Sequence, residues 1–378
     1  MGKVHDVIII GGGVIGCSIA YYLAKKKHSV LLLEKDRIGE KASSAAAGML
    51  GVQSEIEEEG PLFQLARKSR DLFPDLSEEL KDLTGIDIGY TKSGALKLAF
   101  TPDELERLTK IAEWQKDNGE EVILGDQRMI LDKVPAVSDL VIGGLYFPNE
   151  GQVHPVDLTN ALARGAMHYG AKIREYTDVL DLEIKDGRVQ SVKTAAGTYY
   201  SHLVIIATGA WSQVWFSHQP HINIYPVKGE VVSVTTQSSA LKSTLFSEKC
   251  YIAPKRGGEI FIGATMKPYD YDQSVTAGGV QSLLKQAIDI LPILSEATFN
   301  RVWSGQRPQT NDGLPFIGRD TLFDGLMYAT GHYRNGILLS PITGKLVAQM
   351  AMTGKDVPEL APFNASRLLT LNKEVTMR

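Results

Sequence analysis

Three glycines and one acid are the first residues whose spacing suggests chemistry. Gly11-x-Gly13-x-x-Gly16 follows the apolar run Val7-Ile8-Ile9-Ile10 and precedes Ile15, Ile19 and Leu23, which recur every four residues. A buried strand, a tight turn and a helix are the expected elements. The first glycine permits the turn, the second lets backbone approach a pyrophosphate, and the third lets helix pack on strand. The helix N-terminus then offers free N–H groups to an anion. Glu34 ends a second apolar run, Val30-Leu31-Leu32-Leu33, 18 residues after Gly16. An acid there accepts hydrogen bonds from ribose hydroxyls and repels a 2′-phosphate. A dinucleotide without that phosphate is the expected ligand, and the fingerprint does not separate FAD from NAD.

Two further stretches bear on the choice. Lys41 to Met49 is a run of small residues, which lets backbone pass close to a large ligand or simply starts an Ala-rich helix. Gly331-His332-Tyr333-Arg334-Asn335-Gly336-Ile337 reads as a turn before an apolar segment. Free N–H groups there could stabilise negative charge on a reduced flavin, and a surface loop would show the same composition. Other chemistries lack their residues. No Gly-x-Ser-x-Gly elbow is present, and the histidines show no metal-ligand spacing. Cys17 and Cys250 exclude a disulfide framework and any site needing four thiolates. Cys17 reads as a small packed residue, and His154 before Pro155 as structural.

The elements that must position these residues are read from pattern. Helices are predicted over 61–83, 102–118, 156–169, 281–291 and 343–352, with strands at 94–100 and 203–207 and throughout 227–265. Asp186-Gly187 marks a hairpin between 179–184 and 188–194. Hydrophobic residues make up 43% and charged residues 22%, an ordinary globular mix that argues against disorder. Lys+Arg 40 against Asp+Glu 44 leaves a net charge of −4, so no basic excess points to nucleic acid or an anionic membrane. Val7 to Ala24 carries no charge over 18 residues, yet its glycines argue against a membrane span. No secretory leader is recognised, and a cytoplasmic location is expected. The fold class expected is α/β, with a Rossmann-like dinucleotide domain of the glutathione-reductase type and a substrate domain built on an antiparallel sheet. Its segments interleave: 1–88, 145–220 and 305–378 in the first, 89–144 and 221–304 in the second.

Five motifs narrow the reading: Ile10 to Gly16, Ser44 to Leu50, Pro226-Val227-Lys228-Gly229-Glu230, Gly263-Ala264-Thr265-Met266-Lys267-Pro268, and Gly331 to Leu338. In this order the chain resembles the glycine oxidases of bacterial thiamine biosynthesis, in the D-amino acid oxidase and sarcosine oxidase flavoprotein group. The resemblance runs over essentially the whole chain. It implies noncovalent FAD and a homotetramer. By match with Gly11, Gly13 and Gly16, it implies FAD contacts from Val14, Ile15, Glu34, Lys35, Ala42, Ser43, Ala47, Gly48 and Met49, with Val179 near the adenine. His332, Tyr333, Arg334, Asn335, Gly336, Ile337 and Leu338 would wrap the flavin ring. Arg307 would pair with a substrate carboxylate, assisted by Tyr251, with Arg334 and Met266 bordering the substrate. One departure stands out. The family pattern has a histidine two residues before the tyrosine, where this chain has Lys249, which either tunes substrate range or is a solvated surface lysine.

The reaction so implied is oxidative deamination of a small amine: glycine, sarcosine or a short D-amino acid. Arginine would hold the carboxylate in bidentate geometry, orienting Cα–H toward the flavin. The imine would hydrolyse to the 2-oxo acid, glyoxylate from glycine, and O₂ would become H₂O₂. No general base, metal, nucleic acid or membrane is called for. The nearest alternative is a flavin-dependent D-amino acid dehydrogenase with another electron acceptor.

Overall fold

The computed structural model describes residues 4–236 and 241–368. Val7–Ile10 and Val30–Leu33 are strands buried on both faces, as their unbroken apolar sequences demand. They lie side by side in a six-stranded sheet with Val204–Ile206, Leu326–Thr330 and Lys172–Arg174 in parallel, and Phe316–Arg319 antiparallel at one edge. Alternate residues of these strands serve two cores. Ile9, Leu32 and Ile205 pack against helices Val14–Lys25, Pro155–His168 and Gly336–Thr353. Ile8, Ile10, Leu31, Leu33 and Val204 pack against a small antiparallel sheet that holds Val189 and Val192. Helices on one face and a sheet on the other make the dinucleotide-binding fold expected.

A nine-stranded sheet forms the second layer system, built around Ile224–Thr235 and the long strand Thr298–Thr310. The strand Gly143–Phe147 pairs with Ala95–Ala99 in this sheet and spans the expected boundary between 144 and 145. Likewise Thr298–Thr310 spans the boundary between 304 and 305.

Two helices differ from the pattern reading. The predicted helix 61–83 is two helices, Pro61–Arg70 and Phe73–Thr84, because Pro74 sits in the first turn of the second, where its missing N–H costs nothing. The closing helix begins at Gly336, not Thr343, with Pro341 inside. Proline there frees the Ile337 carbonyl, and the Ser340 hydroxyl donates to it at 2.9 Å, so the helix tolerates the residue. The Asp186-Gly187 hairpin forms as predicted, with φ of 51° and 72° at its two turn residues. Among the described residues no helix is long and apolar enough to cross a membrane.

Candidate active site

One cavity of about 620 Å³ runs from the glycine turn to the large sheet. At its first end the wall is backbone. Gly11 has φ +106°, and a Cβ there would lie 2.4 Å from the Ala207 carbonyl. A Cβ on Gly16 would lie 1.9 Å from the Gly11 carbonyl, so Gly16 acts in packing and stands outside the lining. The helix N-terminus is bare of side-chain caps of its own. Instead the Val14 N–H donates to Ser43 Oγ at 2.9 Å. Glu34 faces the same cavity, its carboxylate accepting the Gly12 N–H at 2.6 Å and the Asp36 N–H at 2.8 Å. Each oxygen keeps a second lone pair for a ligand hydroxyl. A dinucleotide fits this cradle: any side chain at Gly11 or Gly16 would collide with backbone and push the turn out of shape, and the acid is where a ribose would be held.

Gly13, Val14, Ile15, Lys35, Ala42, Ser43, Ala47, Gly48, Met49 and Val179 line the same cavity, and so do His332, Tyr333, Arg334, Gly336 and Ile337. Asn335 and Leu338 stand outside the lining; Leu338 is buried in the core on the helix side of the sheet. The His332 ring is buried, with Nε2 3.2 Å from Thr343 Oγ1, and burial pushes its pKa down to about 3, so it is neutral.

The far end is made of side chains. Tyr251 and Arg307 come from separate strands of the large sheet, and Tyr251 is only 7% exposed. Gly263 lies opposite Tyr251, where a Cβ would come within 2.4 Å of the phenol oxygen. Burial pushes the Tyr251 pKa up to about 12, so it is a donor and not a base. Arg307 donates from Nη1 to the Thr265 carbonyl at 3.4 Å and, among the described residues, has no carboxylate at ion-pair distance. Arg334 differs: its Nε lies 2.7 Å from Glu55 Oε2, whose side chain is 7% exposed. Arg307 and Arg334 thus line the same cavity, and of these two Arg334 is already neutralised.

Met266 is 62% exposed and stands outside the lining, and its sulfur accepts from the hydroxyl of Tyr333, which lines the cavity, at 3.7 Å. Lys249 is exposed and outside the lining, because it stands in the loop between the strands Thr244–Phe246 and Tyr251–Pro254, and only the second strand carries Tyr251 into the cavity. Pattern reading missed Glu55, Trp211 and Tyr271, all of which line the cavity. Glu55 heads the run Glu55-Ile56-Glu57-Glu58-Glu59, which reads as a solvated acidic stretch. Trp211, 4.8 Å from the Lys35 ammonium by its ring centroid, follows a parallel strand in Gly209-Ala210-Trp211, a place where ligands gather in open α/β sheets.

The FAD dependent oxidoreductase (DAO) family matches residues 6–350. A glycine oxidase of Geobacillus kaustophilus (strain HTA426) is 44% identical over 370 residues, 96% of this chain and 97% of that one. The crystal structure of glycine oxidase from Geobacillus kaustophilus superposes with a TM-score of 0.93 at 43% identity, covering 96% of this chain and 99% of that chain. The bifunctional protein ThiO/ThiG of Synechocystis sp. (strain ATCC 27184 / PCC 6803 / Kazusa) is 34% identical over 98% of this chain and 55% of its own.

Proposed function

The chain belongs to the FAD dependent oxidoreductase (DAO) family, and on that premise we propose that it oxidises glycine, sarcosine and small D-amino acids with O₂. The products are the 2-oxo acid (glyoxylate from glycine), ammonia or amine, and H₂O₂. The observation that carries this reading is Arg307: a half-buried guanidinium without a carboxylate partner among the described residues, in the same cavity as the dinucleotide cradle. A guanidinium matches both oxygens of a carboxylate, so it binds and orients an amino acid at once. The neutral Tyr251 hydroxyl donates to the same carboxylate. FAD, when bound, would supply the acceptor for the hydride that leaves Cα with its two electrons. The substrate amine must be neutral for that transfer. No side chain need take its proton: Glu55 is paired with Arg334, and His332 is turned to Thr343.

FAD is held without a covalent bond in this reading. Cys17 and Cys250 are both buried and neither lines the cavity. With the strands Gly143–Phe147 and Thr298–Thr310 kept whole in the large sheet, the expected boundaries at 144/145 and 304/305 move to the ends of those strands; the segments before 89, from 148 to 220 and after 310 then form the FAD-binding unit, and the rest lies over the substrate. The Synechocystis relative supports a role in making the thiazole of thiamine. A homotetramer in the cytoplasm completes the proposal.

The test is a panel of glycine, sarcosine, D-alanine, D-proline and glyphosate scored for peroxide under air. Peroxide equal to glyoxylate from glycine is expected. Flavin reduced by glycine without peroxide would replace the oxidase with a dehydrogenase. Flavin that stays in an acid pellet would contradict noncovalent binding.

A further inference from the structure

Two motifs on which the family likeness rests, Pro226–Glu230 and Gly263–Pro268, have no role in the reaction above, yet the structure joins them. Lys267–Pro268 pairs antiparallel with Ile224–Thr235, Val227 opposite Pro268 and Lys228 opposite Lys267. Side chains alternate along a strand. Gly229 and Val231 line the cavity, so Lys228 and Glu230 point away from it.

Both of those side chains are buried and both are charged. Lys228 is 1% exposed, with Nζ 3.3 Å from Asp270 Oδ2 and 3.4 Å from Asp272 Oδ2. Burial works to lower its pKa, but the two carboxylates outweigh it and the net direction is up. Glu230 is fully buried. It accepts from Thr276 N at 3.0 Å, from the Thr276 hydroxyl at 3.1 Å, from Lys267 Nζ at 3.3 Å and from the Thr265 hydroxyl at 3.4 Å. Its own N–H donates to Thr265 Oγ1 at 2.9 Å. Unpaired, either charge would be costly to bury. Paired, the two hold the segment 264–276 at both ends and in the middle.

That segment reaches the substrate end of the cavity. Its Thr265 carbonyl is the acceptor for Arg307 Nη1. Tyr271 lines the cavity and donates to the Ala210 carbonyl at 3.3 Å. Between the two charged residues lies Gly229, where a Cβ would come within 2.5 Å of the Arg307 guanidinium. One strand therefore floors the guanidinium with its cavity face and grips the overlying segment with its other face.

We propose that Lys228 and Glu230 are positioning residues, which clamp the 264–276 segment so that the Thr265 carbonyl fixes the direction of the Arg307 guanidinium. This rests on the reading of Arg307 as the carboxylate partner.

The test uses holoenzyme carrying Lys228→Met, Lys228→Arg or Lys267→Met. The last removes only a 40% exposed partner of Glu230 and so spares the fold. Three quantities are read on each flavin-replete preparation: glycine kcat and KM, the Kd of acetate from the flavin absorbance change, and hydrogen exchange of 264–276. Lys228→Met is expected to raise glycine KM and acetate Kd by roughly 10- to 100-fold, since small misplacements of a binding group carry losses of that size. Exchange of 264–276 should quicken while FAD content holds. Lys228→Arg should recover most of the loss, and Lys267→Met should move the same way by a smaller factor. Lys228→Met with KM and Kd within twofold of the parent would overturn the proposal. So would a Lys228→Met protein that fails to fold while Lys267→Met stays within twofold. A parent enzyme not reduced by glycine would instead contradict the glycine reading, and exchange of 264–276 would still test the clamp.

Discussion

Around Gly11 the cavity wall is largely backbone: a positive φ and the N–H groups of a helix start, close together in the chain. Around Arg307 it is side chains, and they come from far apart: Glu55, Tyr251, Arg307 and Arg334. The first end recognises what dinucleotides share, so it needs closeness more than identity. The second must hold a carboxylate and admit a small amine, which takes particular functional groups in particular places. Steric defects should therefore break the first end, and chemical defects the second.

The most complete defect is expected at the backbone end, where the cofactor itself is lost and every activity with it. Gly16→Val places carbon where the Gly11 carbonyl already lies, and no backbone can yield that far cheaply. FAD affinity should fall by at least about 100-fold, a loss of roughly 2.7 kcal/mol. Flavin content after gel filtration checks it, with circular dichroism to confirm folding. A flavin-replete Gly16→Val protein would erase the contrast between the two ends.

Next comes Arg307→Ala, which removes a charge and leaves the cradle alone. Losing one partner of a buried ion pair costs about 3–5 kcal/mol, or roughly 10²- to 10³-fold and slightly more. Glycine kcat/KM should drop by about that factor with FAD retained, part of it on kcat because the same contact orients Cα–H. Arg307→Lys should recover only partly, since a point charge loses the fork.

Acidity sharpens the comparison further. The short helix Val52–Glu55, which brings Glu55 to the cavity, is held by the buried Glu150 carboxylate, which accepts from Gln53 N, Ser54 N and the Ser54 hydroxyl. Burial raises the Glu150 pKa to about 7, against the lowering by those donors and by Arg70. The folded protein thus binds a proton between about pH 4.5 and 7 that the unfolded chain has released. Stability from this group is greatest at the acid side and falls as pH rises through that window, by on the order of 3 kcal/mol. Glu150→Gln keeps acceptor and shape, so its Tm should decline less than the parent's between pH 5 and 8. Equal declines would place the titration elsewhere.

The smallest effect belongs to Lys249. Exposed and outside the cavity, it should let Lys249→His leave the glycine kcat unchanged and shift KM for acidic amines by no more than about twofold, as surface charges are screened. A larger shift would bring it into the substrate end after all.

The same contrast explains what the sequence discloses. The strand-turn-helix at Val7 to Lys25 is legible because its signals are local: an apolar run, glycine spacing and a four-residue period. Arg307 and Tyr251 carry no such signal and are picked out through the family likeness alone. Glu55 is hidden in an acidic run, since nothing local tells that Glu150, Lys97 and Gln115 lie beneath that turn. The helix at Gly336 is masked by Pro341, whose local meaning is a break until Ser340 supplies the missing donor.

The central claim is that Arg307 presents an amino acid's carboxylate to a cavity that holds FAD. Anaerobic addition of glycine to the parent and to flavin-replete Arg307→Ala, followed at the flavin absorbance band, tests it directly. The parent should bleach fully at modest glycine, and the variant should bleach only at concentrations some 10²- to 10³-fold higher. Equal bleaching curves for the two proteins, or a parent that glycine leaves yellow, would contradict the account.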